Sequence, residues 1–213
     1  MRKVVLLVLL ALCLPIASWA NSSNIVFSNT GGNITTGGTK IAPTLSLSNS
    51  SLTGFTGFNG VPITGNLGTV SFTTAGLISG SLGGGGTFAA GGSFTITGNG
   101  SNGVPNGSLF QGSFSGPVSW AGTFNPLGNH GKGNWTYVLT GTVSGTLNNG
   151  AQAGGGTMQF SFDVPNSKLF SKGVRLNGGV TTVTVPEPGT LGLLGTGLFA
   201  LACMVRRKFS TSV

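Results

Sequence analysis

The chain has few ionisable side chains. Its 213 residues include two acids and one histidine, and only 6% of them are charged, against roughly a quarter in an average soluble protein. Acid–base cleavage of sugars needs two carboxylates across a cleft, and a calcium cage usually draws on several acids. Glu187 lies near the C-terminus, so Asp163 is the only acid of the central region. We therefore expect no catalytic residues, no metal site and no cofactor.

Cysteine is absent from the central region. Cys13 and Cys203 lie in apolar runs near the two ends, so the centre can form neither a disulfide nor a thiolate metal site. The single histidine, His130, cannot complete a zinc site without further ligands. A Ser-His-Asp triad would have to use His130 and Asp163, but no Gly-x-Ser-x-Gly turn accompanies them. The composition favours a protein that is not an enzyme.

The net positive charge is dispersed or terminal. The formal net charge is +8, and five of the ten basic residues lie in the two terminal segments. Phosphate binding draws on clustered cations, so we expect no nucleic-acid partner. The other five basic residues are spread over the centre: Lys40, Lys132, Lys168, Lys172 and Arg175.

Residues 1–20 have the order of a secretory signal peptide. Arg2–Lys3 precede the apolar run Val4–Leu14, and Ser18 and Ala20 supply the small residues that come before a cut. We predict cleavage by signal peptidase between Ala20 and Asn21. The alternative is an uncleaved anchor, but the apolar run of 11 residues is short of the ~20 needed to span a bilayer.

The C-terminal segment, residues 185–213, has three parts in a fixed order. They are a proline-rich motif (Pro186, Glu187, Pro188), a run of 17 uncharged residues (Gly189–Val205) and a basic cluster (Arg206, Arg207, Lys208). As a helix, 17 residues would extend about 26 Å, which is near the lower limit for crossing a hydrocarbon core. The basic cluster would remain in the cytoplasm and place the central region outside.

This order of parts resembles the PEP-CTERM sorting signal of exported proteins in Gram-negative bacteria. The resemblance covers about the last 28 residues and the expected leader. It implies recognition by an exosortase, a membrane cysteine protease-transferase, and an association with exopolysaccharide production. We expect anchoring through the 189–205 helix until processing, then a place at the cell surface or in the extracellular matrix. A plain tail anchor is the alternative, whereas a GPI signal would end in hydrophobic residues.

Residues 21–184 have the pattern of a β-rich extracellular domain. Over Trp135–Leu147 apolar and polar residues alternate for 13 positions, which is typical of a half-buried strand. Similar alternation at Met158–Val164 and Phe110–Phe114, and the absence of a 3.6-residue period, predict an all-β fold. We expect an antiparallel sandwich or barrel of roughly eight to ten strands, with an irregular β-solenoid as the alternative. The glycine runs Gly83–Gly86 and Gly154–Gly156 are expected to be loops.

Two non-enzymatic functions fit these features. The first is a displayed structural protein of the surface or the exopolysaccharide matrix, whose aromatic residues form the core. The second is a carbohydrate-binding or adhesive module, in which exposed aromatics stack on sugar rings. Trp135 and Tyr137 alternate with Leu139 on a core face, so Trp120 is the better candidate for an exposed aromatic.

Overall fold

The structure is a computed structural model that describes residues 22–57, 59–126, 133–165 and 174–186. Strand makes up 79% of these residues, and a 3-10 turn at Ser101–Gly103 is the only helical element among them. The predicted signal-peptide and membrane helices lie outside the described residues. The strands are β1 (Ser22–Thr30), β2 (Asn33–Gly38), β3 (Pro43–Thr56), β4 (Pro62–Thr73), β5 (Leu77–Ser81), β6 (Gly85–Phe88), β7 (Gly91–Asn99), β8 (Asn106–Phe114), β9 (Val118–Pro126), β10 (Gly133–Leu147), β11 (Gln152–Pro165) and β12 (Val174–Pro186).

The strands form one antiparallel sheet whose pairings run in a closed circuit. The circuit passes through β12, β2, β3, β4, β7, β8, β10 and β11, and then returns to β12. β1 lies beside β12 and β3, while β9, β6 and β5 continue from β10. The predicted all-β, antiparallel class is confirmed.

The predicted number of strands is wrong, because the described residues alone form 12. The strands β2, β5 and β6 were not predicted; they are only 4 to 6 residues long and rich in glycine, serine and threonine. Most of their side chains are exposed or half-buried. Short strands of this kind lack the alternation of apolar residues by which a strand is detected.

β10 is the strand that joins the parts of the sheet. One of its edges pairs with β11 from Asn134 to Thr146. Its other edge pairs first with β9 and then, from Val143 to Leu147, with β8. The predicted alternation is confirmed, because Tyr137, Leu139 and Val143 are buried.

The core lies on the inner face of the sheet and is rich in phenylalanine. Phe72, Phe94, Phe114 and Phe160 pack together with ring centroids from 5.2 to 6.3 Å apart. Residue contacts group Asn24–Val185 into one compact unit. Eight of the ten phenylalanines that the structure describes are buried, as expected of a core: Phe27, Phe72, Phe88, Phe94, Phe110, Phe114, Phe160 and Phe162.

The two glycine runs are not simple loops. Gly83 and Gly84 lie in the turn between β5 and β6, but Gly85 and Gly86 belong to β6. Gly154–Gly156 lies within β11, where Gly154 and Gly155 together face the single residue Ser144 on β10. This is a β-bulge, and glycine suits it because Gly155 has a φ of +67°. The prediction of a loop at Gly154–Gly156 was therefore wrong.

One end of the sheet, called the base below, contains three connections between strands: residues 57–61, 100–105 and 148–151. Hydrogen bonds attach two of them to neighbouring strands, because Asn102 Nδ2 donates to Thr64 O over 3.3 Å and Asn148 N donates to Leu109 O over 3.2 Å. All three connections contribute residues to the lining of one pocket. β1 begins and β12 ends at the base, where Thr184 Oγ1 donates to Asn24 Oδ1 over 3.1 Å. The base is therefore where the chain enters and leaves this unit.

Candidate functional site

The last strand of the sheet runs directly into the proline-rich motif. Val183 and Val185 on β12 are buried in the core, with exposed fractions of 0% and 3%. β12 ends at Pro186, so no linker separates the last core residue from the motif. Proline cannot donate a backbone hydrogen bond, which makes Pro186 a natural end for the pairing.

The other predicted site residues lie outside the described residues. These are the motif residues Glu187 and Pro188, the cleavage pair Ala20 and Asn21, and the basic cluster Arg206, Arg207 and Lys208. The cleavage site, the membrane helix and the cytoplasmic position of the cluster therefore remain predictions. His130 also lies outside the described part.

A row of stacked aromatic rings lines the inner face of β9 and β10. Trp120 and Tyr137 stack with centroids 4.7 Å apart and planes inclined by 4°. Trp135 lies 5.8 Å from Tyr137 and 5.4 Å from Phe124. The row runs from buried rings to the part-exposed pair Trp135 and Phe124, the latter 37% exposed.

Trp120, the aromatic that the sequence left as a candidate for exposure, is buried. Its exposed fraction is 1%, and its Nε1 donates to Leu82 O over 2.9 Å. Tyr137 OH likewise donates to Gly83 O over 2.8 Å, and burial raises the pKa of this hydroxyl because desolvation disfavours the phenolate. Both rings therefore hold the turn between β5 and β6 against the core, and neither presents a face on which a sugar could stack. Trp120 is therefore excluded as the exposed aromatic that the carbohydrate-binding alternative would need.

Asp163 lies in a polar row on the outer face of the sheet. Asn125 Nδ2 donates to Thr136 Oγ1 over 3.0 Å, and Thr136 Oγ1 donates to Asp163 Oδ1 over 2.7 Å. Asn177 Nδ2 donates to Asp163 Oδ2 over 2.7 Å. The partners of the carboxylate are thus a hydroxyl and an amide, which is the arrangement of a cross-strand surface network.

An apolar pocket of about 440 Å³ opens at the base. Its apolar lining includes Ile25, Phe55, Ile63 and Leu147, and Asn59, Asn148 and Asn149 add polar groups. The size falls in the range of small-molecule sites, which are mostly apolar with a few polar groups. This pocket could not be predicted from the sequence, because its lining comes from separate strands and connections that only folding brings together.

Within the ranges of the chain that the structure describes, no helix has the length and apolar character needed to cross a membrane. The same ranges contain no group of three or more histidine, cysteine, aspartate or glutamate residues that could hold a metal ion.

The C-terminal part of the chain matches a known family of sorting signals. Residues 184–208 match the PEP-CTERM protein-sorting motif, which defines an exported protein sorted through its C-terminus and processed by an exosortase. The chain is a PEP-CTERM domain-containing protein. The matched range overlaps the fold, because its first three residues, Thr184–Pro186, are the last three of β12. No curated protein and no solved structure matches the chain significantly.

Proposed function

We propose that the chain is a non-catalytic structural protein of the cell surface or the exopolysaccharide matrix, delivered there by an exosortase. The observation that carries this proposal is the sorting motif at residues 184–208, which begins in the last strand of a compact β unit. A compact domain with a sorting signal at its C-terminus is suited to display.

The proposed route has two steps. Signal peptidase cuts between Ala20 and Asn21 during export, and residues 189–205 then hold the chain in the inner membrane, with the basic cluster 206–208 in the cytoplasm. Exosortase next processes the tail and releases the domain to the surface or matrix of a Gram-negative bacterium. Exopolysaccharide is the partner we propose for the released domain.

The absence of catalysis is proposed from the chemistry of the side chains. Catalysis generally uses paired titratable groups with matched environments, whereas Asp163 is hydrogen-bonded to Thr136 and Asn177. The shortage of acids, histidines and cysteines in the central region supports the absence of a cofactor. The dispersed positions of its five basic residues support the absence of a nucleic-acid partner.

Fractionation of cells with and without exosortase tests this function. In wild-type cells we expect a shortened chain in the surface and matrix fractions, and in exosortase-deficient cells a longer chain in the inner membrane. Mass spectrometry of the wild-type product should give Asn21 as the first residue. A chain of equal length and location in both strains would contradict the proposed route, and turnover of a polysaccharide would contradict the structural role.

A carbohydrate-binding module is the second candidate, and one observation favours it. Phe124 and Trp135 form a part-exposed aromatic pair at the end of β9 and β10, and a sugar ring could stack on such a pair. Trp135→Ala is then expected to weaken binding to a defined polysaccharide about fivefold, since stacking is worth roughly 1 kcal/mol. Isothermal titration would measure this, with Phe55→Ala as a control that removes a half-buried ring elsewhere. Equal loss in both variants, or no binding by the wild type, would count against this candidate.

A further inference from the structure

The base is the end of the unit to which both terminal segments connect. Three residues separate Asn24 from the predicted signal peptide, and four residues separate Thr184 from the predicted membrane helix. The hydrogen bond between Asn24 and Thr184 places the start and the end of the unit side by side. A tail that starts so close to the base keeps the base near any membrane in which the tail is inserted.

The base is also free of charge in its three connections. Residues 57–61, 100–105 and 148–151 contain no charged side chain. The charged residues that the structure describes, Lys40, Asp163 and Arg175, lie towards the strand ends opposite the base. A surface without charges can approach a lipid layer without the large cost of desolvating an ion.

The same end presents apolar surface. Val61 has an exposed fraction of 56%, and the pocket beside it is lined by Ile25, Phe55 and Ile63. Asn59, Asn148 and Asn149 in the lining supply amide groups of the kind that bind polar headgroups. Apolar surface with a polar rim marks a site of protein or membrane interaction.

We propose that in the unprocessed chain the base docks on the membrane that holds residues 189–205, and that its pocket takes the apolar chain of a membrane lipid. Three independent features support a lipid partner: the position of the chain ends, the lack of charge and the apolar pocket. This inference rests on the proposed insertion of the tail. Docking orients the domain so that the motif (Pro186, Glu187, Pro188) lies at the membrane surface, where a membrane enzyme can reach it.

Photo-crosslinking in exosortase-deficient cells tests the docking. A diazirine amino acid is placed in the full chain at Val61, and in a matched variant at Ile41, which is 94% exposed in the turn between β2 and β3. The cells are grown with radiolabelled fatty acid, and the membrane-bound chain is irradiated and purified. We expect several-fold more lipid label at position 61 than at position 41. A probe at Asn149, another exposed residue at the base, should give label similar to that at position 61.

The outcomes separate this inference from the proposed function. If the chain is in the membrane but positions 61 and 149 take no more lipid than position 41, docking is wrong and the sorting route stands. Adducts of position 61 with protein alone would also overturn docking. If the chain is not in the membrane, both proposals fail. Resistance to limited proteolysis, compared with the wild type, shows that each variant is folded.

Discussion

Replacing Pro186, Glu187 and Pro188 together by alanine is expected to abolish processing while the chain remains in the membrane fraction. The uncharged run 189–205 is unchanged in this variant, so its hydrophobic drive for insertion is preserved. What is lost is the recognition element: two prolines that fix φ and exclude regular pairing, with a carboxylate between them. Immunoblots of fractionated cells should show the longer precursor and none of the shortened product.

A control in the same tail separates recognition from general disturbance. Replacing Ser210, Thr211 and Ser212 by alanine changes three residues beyond the basic cluster and should leave processing intact. Because Pro186 also ends β12, the proteolytic stability of the folded domain should be compared between the two variants. Normal processing of the 186–188 variant would show that the tail is only an anchor.

Gly112→Ala is expected to destabilise the sheet strongly. Gly112 faces Gly145 across the β8–β10 pairing, and a Cβ on Gly112 would overlap the carbonyl oxygen of Ser144. Because this atom belongs to the backbone of the neighbouring strand, the two strands must move apart. We expect the free energy of unfolding to fall by about 3 kcal/mol, the upper range for overpacking. The melting temperature should fall by roughly 6–12 °C in a domain of this size.

Gly154→Ala is the matched control for this effect. Gly154 lies in β11, and a Cβ added there would meet no atom within 4 Å. The same chemical change should therefore alter the free energy of unfolding by no more than about 1 kcal/mol. Thermal unfolding of the processed chain, followed by circular dichroism, measures both variants. A similar melting temperature for Gly112→Ala and Gly154→Ala would refute the close approach of β8 and β10.

Local pattern accounts for the predictions that succeeded. The alternation from Trp135 to Leu147 repeats every two residues, as side chains do along any strand, so the buried face of β10 could be predicted without its partners. The same holds for Phe160 and Phe162 on β11, which are fully buried. The sorting motif could also be recognised, because it consists of consecutive residues and does not depend on a folded surface.

The predictions that failed depended on contacts between distant residues. The alternation could not show that Trp120 is buried, since its partner carbonyl belongs to Leu82, 38 residues away. The alternation also could not predict β2, β5 and β6. These segments consist largely of glycine and small polar residues, and they form strands because they pair with neighbouring strands.

The sequence by itself determined the strand class, the inward faces of the long strands and the sorting motif, because each depends on residues adjacent in the chain. Only the tertiary structure decided the order of the strands around the circuit, the burial of Trp120 and Tyr137, and the assembly of an uncharged base with an apolar pocket. Antiparallel pairing brought Asn24 and Thr184 together across 160 residues of sequence. Such proximity follows from the register and number of the strands between them, which no local pattern contains.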